Sequence, residues 1–153
     1  MTSPSGPSHA DLTFDSLARG DVLPAVDLTI TGDDVRAYLE ATGEGADHWS
    51  EHVPPVMLSA LMLATLLAQV EIPKGIMHTG HEHEALRAVR IGEPLRITVQ
   101  VAAHSVRRGA LMASFETTAR SAVDGGDVAV SRASVMVPPA EGAATPEGEG
   151  TAE

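Results

Sequence analysis

Apolar residues are concentrated in one stretch near the middle of the chain. Residues 56–70 contain only three polar side chains, Ser59, Thr65 and Gln69, and these do not form one polar stripe. A helix that is apolar on nearly all sides lies inside a protein or inside a membrane. As a helix this stretch would span about 22 Å, against about 30 Å of bilayer hydrocarbon. The pattern therefore predicts a helix buried in a globular domain.

Shorter elements precede this helix. Residues 22–30 are typical of a strand at the edge of a sheet, since Pro24 removes one ladder donor. Thr31 predicts the N-cap of a short helix, and Gly43 predicts its end. A polar stretch then leads to Pro54, where we expect the central helix to begin.

Strands predominate after the central helix, which we expect Pro73 to end. Apolar and polar residues alternate with the period of half-buried strands over residues 95–101, 111–116 and 128–137. Arg107-Arg108-Gly109 and Asp124-Gly125-Gly126-Asp127 predict the hairpin turns between these strands. Periodicity assigns no element to residues 76–90. The predicted fold class is α+β, with an antiparallel sheet wrapped around a buried helix.

Composition limits the classes of partner. The chain of 153 residues has 21 acidic against 10 basic residues, a formal net charge of −11, and 3% aromatic residues. These values argue against a nucleic-acid partner or an anionic membrane. Because cysteine is absent, a disulfide framework, a thiolate nucleophile and a cysteine zinc site are excluded.

The two ends differ in composition from the rest of the chain. Residues 1–10 are rich in Pro, Ser and Gly, and residues 139–153 in Pro, Gly, Ala and Glu. Such compositions predict a disordered leader and a disordered acidic tail, which flank one domain over residues 11–138. The first residues lack the basic and apolar regions of a secretory signal, so we expect a cytoplasmic location.

Several phrases, taken in order, resemble the hotdog fold in its MaoC-like hydratase/dehydratase branch, of the N-terminal dehydratase-domain type. They are Gly20-Asp21-Val22, Tyr38-Leu39-Glu40-Ala41-Thr42-Gly43, Val53-Pro54-Pro55 and the phrase HTGHEHEALRAVRIGEPL at residues 78–95. The resemblance covers residues 20–137. It implies a curved antiparallel sheet around a long central helix, and it makes the beginning of the last phrase the second strand.

Active members of that branch carry D-x-N-P-x-H in the loop before the central helix. Asp47 and His52 keep this spacing here, but Trp49 replaces the Asn and Ser50 the Pro. The branch also has a segment between the His and the helix, which this chain lacks. The resemblance implies (R)-specific hydration of an enoyl thioester, or the reverse dehydration, in lipid or polyketide metabolism. The substrate would be an acyl-CoA or an acyl-carrier protein, with Asp47 and His52 as the acid/base pair.

The chemistry explains why these residue types fit. A histidine whose pKa is near neutrality can activate water, and an adjacent carboxylate can orient it. Unpaired N–H groups at the start of a buried helix can stabilise the developing enolate oxygen. The simpler alternative is that Asp47 and His52 only cap and solubilise the loop.

The resemblance also assigns substrate-binding residues. Because prolines bring no N–H, we expect Val56, Met57 and Leu58 to bind the thioester oxygen, while apolar helix residues line an acyl tunnel. His78 is a second catalytic candidate and Gly80 a substrate-binding one, since their strand would pass the thioester. Ser59 and Thr65, by contrast, are expected to hydrogen-bond along their own helix.

Three other functions remain open. The chain could be a non-catalytic hotdog subunit that holds the acyl chain for a catalytic partner. A hotdog thioesterase would normally need an acidic residue on the central helix, and residues 56–70 contain none. His81 and His83 have the spacing of ligands in cupin-like metal proteins, but Arg87 and Ala88 stand where an acidic ligand is expected.

Partners and cofactors follow from the preferred interpretation. One hotdog sheet leaves an edge and half of the helix surroundings unfinished, so we expect a homodimer or a heterodimer with a similar subunit. We expect neither a metal nor an organic cofactor.

Overall fold

The structure is a computed structural model and describes residues 12–141. The predicted leader and residues 142–153 of the predicted tail lie outside the described residues. The elements follow in the order β1 (Val26–Thr29), α1 (Gly32–Thr42), α2 (Pro55–Leu67), β2 (Met77–Ala85), β3 (Pro94–Arg107), β4 (Ala110–Ser121) and β5 (Asp127–Val137). Single 3₁₀ turns occur at Phe14–Ser16 and Ala46–His48.

The strands form one antiparallel sheet in the order β1-β3-β4-β5-β2. The predicted hairpin turns are confirmed. Arg108 and Gly109 have φ values of 51° and 78° between β3 and β4, and Gly125 has 73° between β4 and β5. Left-handed residues match the twist of a tight hairpin, which explains why glycines occupy these turns.

Helix α2 packs on the inner face of this sheet, against β3, β4 and β5. Its buried apolar side chains include Met57, Met62 and Leu66, and Met62 is fully enclosed. Met57 and Met62 belong to one apolar cluster, while Leu66 belongs to a second. A central helix wrapped by an antiparallel sheet of this order is the hotdog fold, as predicted.

The predicted end of the central helix is wrong. The helix ends at Leu67 rather than before Pro73. The side-chain amide of Gln69 donates to the Thr65 carbonyl at 3.1 Å. The backbone N–H of Gln69 donates to the Leu66 carbonyl at 3.1 Å. Glutamine thus satisfies helix carbonyls that would otherwise lack partners, and the chain turns away one turn early.

Burial of α2 on every side is also wrong for the single chain. Val56 is 69% exposed, and Ala60 and Ala64 are exposed as well. Residues four apart share one side of a helix. Val56, Ala60 and Ala64 therefore form an apolar stripe that the sheet does not cover, which we call the open face of α2.

Strand β2 lies at the edge of the sheet and pairs only with β5 among the described strands. All its residues are exposed except the half-buried His83. Periodicity therefore missed it, whereas the family resemblance placed a strand here. At the other edge, β1 is shorter than predicted. The chain before Pro24 pairs with β3 through the isolated antiparallel bridge of Val22 with Gln100, which is not continuous with β1.

Within residues 12–141, no helix has both the length and the apolar character needed to cross a membrane.

Candidate functional site

The start of α2 leaves backbone donors available. Pro55 is the first helical residue, and the first helical bond runs from Leu58 N–H to the Pro54 carbonyl at 3.1 Å. The N–H groups of Val56 and Met57 have no hydrogen-bond partner within residues 12–141. Two of the three predicted donors are thus available, and the prediction for Leu58 is wrong because its N–H is already used.

Helix α1, by contrast, begins with a side-chain cap that pairs its first backbone N–H groups. Asp34 accepts from Thr31 N–H at 2.8 Å, and Thr31 Oγ1 accepts from Asp34 N–H at 3.2 Å. The hydrogen bonds that its carboxylate accepts from Thr31, first from the backbone N–H and then from the hydroxyl, hold the pKa of Asp34 below its ordinary value. Helix α2 has no side-chain cap of this kind. Its positive end therefore remains available to an oxyanion.

The structure does not bring Asp47 and His52 together. Asp47 is exposed on the turn Ala46–His48, and no hydrogen bond joins it to His52. His52 is half-buried, and its backbone pairs with Arg90. His52 lines a cavity together with residues 87–88, residues 90–94, Val123 and Asp124, and neither Asp47 nor α2 contributes to it.

Glu93 holds the wall of this cavity in place. Its carboxylate accepts from the Arg87 guanidinium at 2.6 Å, from Ser121 Oγ at 2.8 Å and from Arg90 N–H at 3.1 Å. The hydrogen bond from Arg87 is the main cause that lowers the pKa of Glu93 to about 2. Glu93 is therefore ionised at neutral pH and fixes the segment that faces His52.

The histidines of β2 contact the inner side of the fold. His81 Nε2 lies 2.8 Å from Ser59 Oγ on α2, and His83 Nδ1 lies 2.7 Å from Ser131 Oγ on β5. The sequence predicted that these two histidines point the same way, and this is confirmed. His83 Nε2 is buried without a hydrogen-bond partner, and burial, followed by repulsion from His81, lowers the pKa of His83.

A β-bulge adds His78 to the same face. The register of β2 against β5 shifts between His78 and Gly80, which leaves Thr79 as the extra residue. His78 is paired with Val135, and its ring lies 5.5 Å from that of His81 at 88°. Strict alternation would have placed these two histidines on opposite faces, because they are three residues apart.

The bulge also turns Gly80 outward. Gly80 is paired with Ser134 and lines a groove on the outer face of the sheet with Glu82 and Arg132. This position is away from α2, and a contact of Gly80 with substrate stays a prediction.

Ser59 is the residue that sequence reasoning missed. Thr65 donates to the Leu61 carbonyl at 2.9 Å, as expected, but Ser59 bonds across to His81 instead. The available signal was the combination of an inward-facing His-x-His and a single hydroxyl near the start of the helix beside it. No three His, Asp or Glu side chains group as a metal site in the described part of the chain.

Comparison with known proteins supports the fold described above. The chain matches no protein-family model and no curated protein. Among solved structures, the (R)-hydratase PhaJ1 from Pseudomonas aeruginosa in its unliganded form matches with a TM-score of 0.68 and 16% identity, over 82% of this chain and 85% of that one. A MaoC-like dehydratase from Rhodospirillum rubrum matches at 0.67 and 18% identity, over 82% and 95%.

The ChsH1–ChsH2 complex from Mycobacterium tuberculosis matches at 0.63 and 13% identity, over 77% of this chain and 96% of that one. At such identities the likeness shows the fold, which agrees with the hotdog topology described above.

Proposed function

We propose that this chain is a MaoC-like hydratase/dehydratase of acyl thioesters, acting in the cytoplasm in lipid or polyketide metabolism. The observation that carries the proposal is the uncapped start of α2, where Val56 and Met57 present unpaired N–H groups. The likeness to an (R)-hydratase and to a MaoC-like dehydratase supports the same reaction class.

In the proposed reaction, the thioester oxygen binds the Val56 and Met57 amides, which stabilise it as enolate charge develops. Asp47 and His52 are the acid/base pair that activates water for addition at C3, with His78 as a second candidate. Since the two side chains are apart in the free chain, substrate binding has to bring the loop of Asp47 towards His52. General acid/base groups in apo proteins often take their working geometry only in the complex.

The acyl chain has an apolar site beside these amides. A pocket between α1, α2 and β1 is lined mainly by apolar residues, among them Leu28, Tyr38 and Met57, and also by Thr29 and Asp34. Met57 links the unpaired amides to this pocket, because its backbone carries one of the unpaired N–H groups and it also lines the pocket. The pantetheine-linked carrier, either coenzyme A or a carrier protein, then extends outward past the exposed Val56.

The partner is a second hotdog subunit, either a copy of this chain or a similar one. The open face of α2 and the unpaired edge of β2 are apolar or backbone surfaces that a single chain leaves uncovered. The match to a complex of two named chains supports a heterodimeric form.

The proposal is tested by hydration of crotonyl-CoA, followed as loss of the enoyl absorbance. We expect the purified chain to hydrate it, and His52→Ala to lower kcat about 10²-fold or more, because general acid/base catalysis contributes that much. His48→Ala, in the same loop, is the matched control and should change little. Full activity of His52→Ala would contradict the assignment.

A second candidate is the non-catalytic subunit that binds the acyl chain for a partner. It is favoured by the position of Asp47, which is exposed and outside the cavity that His52 lines. In that case the chain binds crotonyl-CoA but is silent alone, and activity requires a co-encoded hotdog partner whose own Asp or His is essential. Release of free thiol would instead indicate a thioesterase.

A further inference from the structure

An imidazole–hydroxyl pair lies at the boundary between α2 and the edge of the sheet. Ser59 Oγ and His81 Nε2 are 2.8 Å apart. Ser59 is buried at 9% exposure, whereas His81 is exposed. The hydroxyl is therefore fixed within the fold, and the imidazole that it holds remains accessible to a ligand.

The same pair lies close to the unpaired amides. Ser59 follows Val56 by three residues, so both lie on one side of α2. Side chains of a helix lean towards its N-terminus, which places the Ser59 hydroxyl over the turn that carries the Val56 and Met57 N–H groups. Ser59 therefore lies about one helical turn, or about 5 Å along the axis, from these donors, and His81 contacts its hydroxyl.

Serine suits an imidazole that gains and loses protons. A hydroxyl oxygen accepts from Nε2–H in both the charged imidazolium and one neutral tautomer. With Nε2 occupied in this way, Nδ1 is the nitrogen left to release and recover a proton. Ser59 can therefore hold the ring in one orientation through both protonation states.

Two exposed imidazoles, His78 and His81, lie on this face, and His81 is the one that a hydroxyl of α2 contacts. The titratable groups beside it on β2 are His78, whose ring lies 5.5 Å away, and His83. Burial and the neighbouring His81 lower the pKa of His83, which keeps that ring neutral. Helix α2 contributes no charged side chain, and the facing residues of β5 are Ser131, Ala133 and Val135.

We propose that His81 exchanges the proton at C2 of the acyl thioester, with Ser59 as its positioning residue. This inference rests on the proposed function, because the amides of α2 fix the thioester oxygen, and C2 is bonded to the same carbonyl carbon. In hydration, Nδ1 gives a proton to C2, hydroxide from water bonds to C3, and the C2=C3 double bond becomes single. The proton that water loses balances the one that Nδ1 gives to C2, so the reaction takes up no net proton.

The kinetic test uses the full chain with crotonyl-CoA, together with its hotdog partner if one is required. His81→Gln should lower kcat about 10²-fold or more, with KM changed less than about threefold. Ser59→Ala should lower kcat about tenfold, as expected for loss of one hydrogen bond to an ionisable group. Ser59→Thr, which keeps the hydroxyl, should restore most of that loss.

Glu84→Gln is the matched control, since Glu84 lies on the same strand with its side chain on the opposite face, and it should leave kcat unchanged. Urea unfolding of each variant verifies that it is folded. A second measurement follows the imidazole carbon–proton signals of all histidines by NMR while acetoacetyl-CoA is added. The His81 signal, assigned with His81→Gln, should move on binding.

The outcomes separate this inference from the proposed function. If His52→Ala abolishes hydration but His81→Gln keeps kcat within about twofold, His81 has no role and the proposed function stands. If acetoacetyl-CoA binds and the NMR signal of His81 does not move, His81 likewise has no role and the proposed function stands. Thioester binding without turnover, even with a partner, overturns the inference and leaves the acyl-binding subunit. If no thioester binds, the inference and the proposed function both fail.

Discussion

Two segments that carry histidine flank the start of α2, and the structure holds them differently. In the loop before the helix, Asp47 ends in solvent, and His52 faces a cavity to which α2 contributes nothing. In β2, His81 and His83 are each hydrogen-bonded to a serine on a neighbouring element. In the segment with the family-like motif, the Asp47 and His52 side chains thus make no hydrogen bond within the described residues, whereas those of His81 and His83 do.

This difference shows what residue spacing can and cannot establish. In a strand, alternation fixes the face of each side chain, so His81 and His83 have a direction that the sequence reveals. A loop has no such period, and a spacing of five residues between Asp47 and His52 does not determine whether they meet. The following predictions test whether side chains of β2 and its neighbours contribute more to stability than those of the loop that carries Asp47 and His52.

The largest effect is expected for Met62→Ala. Met62 is fully buried on α2, and Ser131, the partner of His83, contacts its sulfur at 3.8 Å. Truncation leaves a cavity and should lower the free energy of unfolding by about 2–5 kcal/mol, measured with urea. Val56→Ala, on the open face of the same helix, should change it by less than about 0.5 kcal/mol. Equal effects would contradict the described orientation of α2.

Glu93→Gln should act on the loop side by weakening the wall opposite His52. Loss of its charged hydrogen bonds should cost about 1.5–3 kcal/mol in the free energy of unfolding. The pKa of Glu93 is lowered from 4.5 to about 2, so its stabilisation is complete above pH 4.5 and is lost as the pH falls through about 2. Urea unfolding across this range should show a smaller acid dependence for Glu93→Gln than for the wild type.

Ser131→Ala removes the partner of His83 on the strand side. Because it leaves His83 Nδ1 without its hydrogen bond, we expect a cost of about 1 kcal/mol. Ser134→Ala is the control, since Ser134 lies on the same strand with its side chain on the outer face. If both variants unfold at the same urea concentration as the wild type, the bond between Ser131 and His83 contributes no stability.

The smallest effect is expected for Asp47→Asn. Asp47 is exposed and makes no hydrogen bond in the described chain, so its replacement should change the free energy of unfolding by less than about 0.5 kcal/mol. A loss above about 1 kcal/mol in urea unfolding would mean that Asp47 is held by a contact absent from the structure. The loop would then be as well anchored as β2.

Much of the fold was predictable because local residue patterns determine most of its helices, strands and turns. Alternation gave β3, β4 and β5, the turn residues gave their hairpins, and the apolar run gave α2. After Met77, strand β2 has polar or small side chains on both faces, so it lacks the alternation by which a half-buried strand is recognised. The end of α2 was missed because a side chain of Gln69, rather than a breaker such as Pro73, completes it.

The candidate site was predictable only in part. The unpaired amides of Val56 and Met57 follow from helix geometry and the prolines before them. The contact between Ser59 and His81 joins residues 22 positions apart and depends on how β2 lies against α2. No pattern along the chain contains that information, and a bulge at Thr79 changes the faces on either side of it.

The bulge at Thr79 makes the length of β2 as informative as its residue types. A relative that lacks the residue at position 79 has no bulge, so its alignment needs a gap of one residue here, and its residue at position 78 keeps the inner face because it stands two positions before His81. A relative of the same length whose strand has no bulge would instead turn that residue to the outer surface, so two proteins with the same imidazoles can display two of them or three towards the helix. Any alignment that closes this gap for the sake of matching letters will equate side chains that never occupy the same space.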